Sequence, residues 1–281
     1  MISVITPTYN REDLVQRTIN SIISQTYSDW ELIVVDDGST DNTEQEIQKF
    51  LADPRISYFK KANTGQPHSL NVGVGMAKGE FVVFLDSDDE AYPNWLSTVA
   101  AHINENTGIV CCEAIRKFLD GSSIREGMDV KFMGQRLNLK FTCGSLFIRR
   151  SLFDAIGGYD TELKANIQTD LGYRLLTELR KTKYQSITIN EPLLQINIHA
   201  GPRIRTDWSK RVAGGIRFLE KHYEMYRQYD KHELSSMAGS IAYSCYKLKK
   251  RKEALTYMLK AIRYNPFRWR NYLRVIRYGC L

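Results

Sequence analysis

A chain of 281 residues, 43% hydrophobic and 11% aromatic, can bury the core of one sizeable domain plus an appendage, which excludes a disordered protein. No apolar run is long enough to cross a bilayer, and the first residues lack the basic leader and apolar stretch of a signal peptide. The net charge of +7 is uneven: residues 203–281 carry 19 Lys/Arg and 6 Asp/Glu, so the basic surplus belongs to the C-terminal part and the remainder is net acidic.

The N-terminal half alternates short apolar runs with stretches of helical period. Residues 3–6 form a strand stopped at Pro7, and Leu14, Ile19, Ile22 and Ile23 then recur at helical spacing. A second strand, 31–35, runs into Asp36-Asp37-Gly38-Ser39, with Asp41 placed to cap a helix over 44–51. Residues 56–59 make a third strand, 69–77 a helix, and 81–85 a fourth strand. That fourth strand is apolar on both faces and therefore central. The alternation predicts a parallel α/β sheet with flanking helices.

Ligands in such sheets bind at the C-terminal ends of the strands. Pro7 to Asn10, Asp36 to Ser39 and Asp86 to Asp89 all fall there, so three polar clusters are expected along one rim.

Farther along, 109–118 and 123–126 read as a hairpin around Asp120-Gly121. Residues 145–148 and 186–189 read as strands and 171–179 as a helix. Trp95 is expected in the core. Beyond Pro202 the pattern is helical. Ile241, Ala242, Cys245, Ala254, Met258, Ala261 and Pro266 sit at offsets resembling one tetratricopeptide repeat. Cys111, Cys112, Cys143, Cys245 and Cys280 form no CxxC pair and are expected as free thiols.

Asp86 and Asp88, one residue apart at a strand end, offer hard oxygen ligands of the kind Mg²⁺ or Mn²⁺ shares with phosphate. A lone DxD is common as a solvated turn, with Asp89 capping a helix, so its context decides.

Four tracts supply that context. Ser3-Val4-Ile5-Thr6-Pro7-Thr8-Tyr9-Asn10-Arg11 opens the chain. Gln25-Thr26-Tyr27 follows, then Glu31-Leu32-Ile33-Val34-Val35-Asp36-Asp37-Gly38-Ser39-Thr40-Asp41, then Gly79-Glu80-Phe81-Val82-Val83-Phe84-Leu85-Asp86-Ser87-Asp88-Asp89. In order and spacing they resemble family 2 glycosyltransferases of the GT-A fold. Gly157-Gly158-Tyr159-Asp160 and Thr169-Asp170 are similar to that family's acceptor-half motifs, and the resemblance covers roughly residues 1–199.

The resemblance implies a GT-A catalytic domain over 1–202, with a nucleotide-sugar half at 1–110 and an acceptor half at 111–202. A basic helical region follows at 203–281. It implies an inverting sugar transfer from a nucleotide-diphosphate donor, most simply a UDP-sugar, to an acceptor hydroxyl in bacterial surface glycan assembly. Pro7, Thr8 and Tyr9 would line the nucleotide pocket, with Asp37 accepting a hydrogen bond from the base; an alternative task for Asp37 is capping the turn after Asp36. Asn63, Gly65, Asp86 and Ser87 would meet the donor, Asp86, Asp88 and His199 the metal, and His199 also the diphosphate, helped by Arg203 and Arg205. Relatives often carry Arg where this chain has Leu70. Asp170 would be the general base, its plainer role being a charge at a helix N-terminus.

The expected partners are the donor and a glycan or lipid-linked acceptor. An anionic membrane surface and a second copy of the chain are further candidates for the tract 264–278, where Arg268, Arg270, Arg274 and Arg277 alternate with large apolar residues; the competing reading packs those apolar residues on the catalytic body and leaves the arginines facing water. No nucleic acid is expected. The expected location is cytoplasmic, peripheral to the inner face of the membrane if the tail docks there. The competing classes are a nucleotidyltransferase, which needs a Gly-rich basic loop that Pro7-Thr8-Tyr9-Asn10 does not provide, and a non-catalytic nucleotide-sugar-binding scaffold.

Overall fold

A computed structural model describes residues 1–199 and 207–279. The chain divides into two compact units. The first comprises Met1–Val130, Leu137–Thr161 and Leu171–Ala200; the second comprises Lys131–Arg136, Glu162–Asp170 and Gly201–Leu281.

In the first unit the expected alternation is present. Strands β1 (Ile2–Thr8), β2 (Trp30–Asp36), β3 (Ile56–Lys60) and β4 (Phe81–Phe84) alternate with helices α1 (Val15–Ile23), α2 (Thr43–Gln48) and α3 (Gln66–Met76). The four strands are parallel neighbours in the order β3-β2-β1-β4. All four residues of β4 are buried, as its two-faced apolar run predicts. After the short strand β5 (Glu90–Ala91) and helix α4 (Trp95–Ala100) come β6 (Thr107–Lys117) and β7 (Ser123–Glu126), the expected hairpin. Two short strands, β8 (Val130–Phe132) and β9 (Gln135–Leu137), fall mostly in the second unit and pair with each other.

Beyond β4 the sheet departs from parallel. β10 (Leu146–Arg149) lies antiparallel to both β4 and β6. β11 (Gln185–Asn197) runs parallel to β6 and antiparallel to β5. β11 is much longer than the strand expected over 186–189. It absorbs Pro192 through shifts of register around that residue, which is how a proline survives inside a ladder. The sheet buries one apolar cluster that includes Val4, Ile19, Leu32, Phe81 and Phe147. Trp95 is buried there too: its indole N–H donates to Gly144 O at 3.0 Å and its ring lies 5.0 Å from that of Phe147.

Helices α5 (Arg150–Ala155) and α6 (Ile167–Leu179) flank a tight turn. Gly157 and Gly158 both hold positive φ, +72° and +69°. Asn71 closes the turn, accepting from Tyr159 N at 2.8 Å and donating to Tyr159 O at 2.9 Å. A Cβ on Gly158 would lie 2.6 Å from Asn71 Oδ1. Gly158→Ala should therefore cost about 2 kcal/mol and lower Tm by about 4–8 °C, read by thermal unfolding.

In the second unit, α7 (Trp208–Lys221), α8 (Tyr223–Tyr229), α9 (Lys231–Lys247), α10 (Arg251–Tyr264) and α11 (Trp269–Gly279) follow one another. Asp207 and Asp230 cap α7 and α9 by accepting from Lys210 N and Glu233 N, each at 3.0 Å. Ile241, Ala242, Cys245, Ala254, Met258 and Ala261 are buried where α9 meets α10. Cys111, Cys112, Cys143 and Cys245 are buried thiols; burial pushes the Cys111 thiol up to about 12. Arg203, Arg205 and Cys280 lie outside the described residues.

Candidate active site

The parallel register places Thr8 beside Asp36 and Asp36 beside Lys60, so the ends of β1, β2 and β3 form one edge. Two loops leave that edge locked together. Asn10, at φ +51°, accepts from Thr40 N at 2.9 Å, and its own N–H donates to Ser39 Oγ at 2.9 Å. Asn42 N donates to Glu12 at 2.9 Å. Asp41 accepts from Thr43 N at 3.0 Å, so it caps α2 from one position earlier than a standard N-cap. Tyr9 stands exposed on this edge, and the buried Thr8 hydroxyl has no hydrogen-bond partner among the described residues.

The two adjacent aspartates divide their work. Asp36 is fully buried; its Oδ1 accepts from Ser39 N and Ser39 Oγ at 2.7 Å, and its Oδ2 accepts from the Tyr58 hydroxyl at 2.7 Å. Burial, then the bond to Asp36, raises the Tyr58 phenol and keeps it a donor. The turn-capping task therefore falls to Asp36. Asp37 instead fastens the next loop: it pairs with Lys61 and accepts from Thr64 N at 2.9 Å and Gly65 N at 2.8 Å. Gly38 and Gly65 permit this approach with φ of +82° and +97°. Asn63 lies exposed on the fastened loop, whereas Leu70, one turn into α3, is fully buried.

The end of β4 carries the acidic cluster. Carboxylate oxygens of Asp86, Asp88 and Asp89 all lie within 4.8 Å of one another. Asp86 Oδ1 accepts from Gln66 Nε2 at 2.9 Å, which ties the cluster to the loop that Asp37 holds. His199 Nε2 lies 2.7 Å from Asp88 Oδ2. Ser87, between Asp86 and Asp88 in sequence, is buried. Cys143 is buried beside Asp86; burial and that carboxylate raise its thiol well above the usual range, so it stays protonated and donates to Asp86.

In the alternative reading of a solvated turn Asp89 would cap a helix; its carboxylate instead accepts from Asn197 N at 2.9 Å. Asn197 also donates from Nδ2 to Asp88 O and to Glu90, both at 3.0 Å. The end of β11 is thus pinned to the acidic turn, and His199, two residues on, reaches Asp88. Asn197 is the residue sequence reasoning missed here. Its signal would have been an amide two positions before the histidine at a strand end.

Asp170 belongs to the second unit. It sits in the first turn of α6, fully buried. Its Oδ1 lies 2.9 Å from His222 Nε2 and 2.8 Å from Lys221 Nζ. His222 in turn lies against Phe218, ring centroids 4.6 Å apart. Lys221 and His222 carry no local signature that could have linked them to a carboxylate 51 and 52 positions away.

A divalent cation suits this donor set. Three carboxylates converge, with the His199 imidazole set on one of them, and hard oxygens dominate.

The family model described as glycosyl transferase family 2 matches residues 3–159, more than half of the chain. The chain belongs to that family. Glycosyl transfer is therefore its class of activity. It is 29% identical over 257 residues to the putative colanic acid biosynthesis glycosyl transferase WcaA of Escherichia coli (strain K12), covering 84% of this chain and 87% of that one. It is 44% identical over 107 residues to a GalNAc(5)-diNAcBac-PP-undecaprenol beta-1,3-glucosyltransferase of Campylobacter jejuni, covering 37% of this chain and only 35% of that one. Among solved structures, S. aureus TarS 1–349 in complex with UDP-GlcNAc matches with a TM-score of 0.70 at 20% identity, over 94% of this chain and 81% of that one. The mannosyltransferase PcManGT of Pyrobaculum calidifontis, in complex with GDP-Man and Mn²⁺, matches with a TM-score of 0.55 at 19% identity, over 99% and 84%. The architecture is GT-A with a C-terminal helical region.

Proposed function

We infer that this glycosyltransferase moves a sugar from a UDP-sugar to the hydroxyl of a lipid-linked glycan, with inversion at the anomeric carbon. The observation that carries the reading is the acidic turn after β4, with His199 set on Asp88 and Gln66 joining Asp86 to the loop held by Asp37. The UDP-GlcNAc complex of TarS supports the donor class, and the undecaprenol-linked substrate in the Campylobacter relative's name supports the acceptor class. Colanic acid in the name of the Escherichia coli relative supports a place in surface polysaccharide assembly.

In this reading residues 1–202 form the catalytic domain and 203–281 the basic helical region. Pro7, Thr8 and Tyr9 line the nucleotide pocket, Tyr9 offering its exposed ring to the base. Asp37 holds the loop of Asn63 and Gly65 through three accepted hydrogen bonds and retains one lone pair to accept from the base, since a carboxylate can accept about four. Asp86, Asp88 and His199 would hold Mn²⁺ or Mg²⁺, with Ser87 at the donor; the Mn²⁺ in PcManGT supports the choice. When bound, the cation offsets charge on the departing diphosphate. Asp170 takes the proton from the acceptor hydroxyl. The new O–C bond forms at the anomeric carbon as the bond to the diphosphate breaks, and UDP leaves with the electron pair. Among the described residues no helix is long and apolar enough to cross a membrane. In this reading the lipid-linked acceptor is met by peripheral contact at the inner face.

A panel of nucleotide-sugars assayed with Mn²⁺ for UDP release tests the reading. One UDP-sugar should be hydrolysed well above the others, and no turnover of any would remove it. Asp37→Asn replaces an acceptor by a group that also donates toward Thr64 N and Gly65 N. It should raise KM for the donor by about tenfold or more, with a smaller change in kcat.

A further inference from the structure

The second unit carries an apolar stripe on the wrong side of a helix. In α11 the polar Asn271 is fully buried and its Nδ2 donates to Ser235 Oγ of α9 at 3.1 Å. Tyr278, one helical repeat on, stacks on Tyr246 of α9 with ring centroids 4.6 Å apart. The face turned away from α9 is the hydrophobic one: Trp269, Leu273 and Ile276 are 64%, 55% and 61% exposed, and Phe267, just before the helix, is 92% exposed. Positions 269, 272, 273 and 276 share one face of a 3.6-residue helix, and Arg270 falls toward its flank, whereas Arg274 lies nearer α9 with its guanidinium by Gly239.

A cationic groove adjoins this stripe. About 650 Å³ in volume, it runs between α8, α9 and α10 and ends at Phe267. Arg227, Lys231, Lys260 and Arg263 line it with Tyr223 and Tyr264; Arg227 pairs with the exposed Glu224. Beyond Glu253 the chain holds six Lys/Arg and no acid.

We propose that α11, Phe267 and the adjoining groove form a docking surface for an anionic lipid bilayer. Charge complementarity selects this occupant. A protein partner would bury the apolar stripe but leaves an acid-free run of cations without a stated use. An anionic bilayer takes both, with aromatic and aliphatic side chains entering the headgroup boundary and arginines and lysines at the phosphate level. The tyrosines of the groove suit the same depth, where a ring and a hydroxyl face different media. The surface deepens the lipid-linked acceptor reading and rests on it: it would bring the enzyme to the plane where that acceptor lies.

Co-sedimentation of the full chain with vesicles tests it. The chain should pellet with phosphatidylcholine vesicles containing phosphatidylglycerol and stay soluble with phosphatidylcholine alone. The triple variant Trp269→Ser, Leu273→Ser, Ile276→Ser should lose about tenfold or more in vesicle affinity, and so should Arg227→Gln, Lys231→Gln, Lys260→Gln, Arg263→Gln. Both variants should keep wild-type thermal unfolding and donor hydrolysis, which reports on sugar transfer independently of docking. A full chain that hydrolyses donor but stays soluble with anionic vesicles overturns the surface and leaves the enzymatic reading standing. A folded variant that binds like wild type also overturns it. So does a dimer of the full chain that the triple variant dissociates, without vesicle binding, because the stripe would then belong to a second copy.

Discussion

Asp88→Asn should lower sugar transfer by about 1,000-fold or more, equivalent to about 4 kcal/mol of transition-state stabilisation, while the protein stays folded. Asp88 stands in the turn that follows the fully buried strand β4, and Asn197 at the end of β11 pins that turn through Asp88 O. Its carboxylate meets His199 at 2.7 Å and shares a small space with Asp86 and Asp89. The amide of asparagine keeps the size and one acceptor oxygen but removes the charge a divalent cation requires. The fold has little reason to respond, because the backbone contacts of the turn, Asp88 O with Asn197 among them, do not involve the replaced atoms. EDTA added to the wild type should have the same effect, reversed by excess Mn²⁺. Full activity in EDTA would remove the metal-dependent reading. Retained activity in the variant alone would move the ligand role to Asp86 and Asp89.

Asp170→Asn should lower acceptor-dependent turnover by about 100- to 10,000-fold, the range over which a general base contributes. Donor affinity, measured by calorimetry, should stay near wild type, because this residue is assigned to the acceptor hydroxyl and not to the nucleotide. The environment adds a second expectation. Asp170 is fully buried and its Oδ1 engages both His222 and Lys221. Removing its charge leaves two donors short of their partner, so stability should fall as well, by about 3 kcal/mol. Thermal unfolding separates the two losses: assays must be run below the lowered Tm. His222→Gln tests the support itself. Glutamine can still donate to Asp170, so stability should be largely restored relative to His222→Ala, while the pH profile of turnover changes if the imidazole positions the base. Loss of donor binding in Asp170→Asn would reassign the residue to the donor side or to structure.

The first half of the molecule was legible because its signals are local. Three of the four apolar runs, those that stop at Pro7, Asp36 and Asp86, end in a Pro-containing or Asp-rich turn, and parallel strands joined by helices must place those turns at one edge. The Asp36-Asp37 pair shows the limit of that reading. Two adjacent carboxylates look equivalent in sequence, and only the partners brought in from β3 and from residues 61–65 separate the turn-capping residue from the loop-fastening one. The antiparallel insertion of β10 between β4 and β6 and the passage of β11 through Pro192 are pairings between distant segments, which no period in a single strand encodes. The link from Asp170 to Lys221 and His222 is of the same kind. In α11 the apolar period was visible, but which face it turns outward depended on Asn271 finding Ser235 in a different helix.

The central claim is that the chain transfers sugar from a UDP-sugar with inversion. Proton NMR of the donor reaction with Mn²⁺, followed from the first minutes, tests it most directly. With a UDP-α-linked sugar and water as the slow acceptor, the account predicts release of UDP together with the β-anomer of the free sugar, before mutarotation mixes the two forms. First appearance of the α-anomer, or release of pyrophosphate in place of UDP from a nucleoside triphosphate and sugar phosphate, would contradict it.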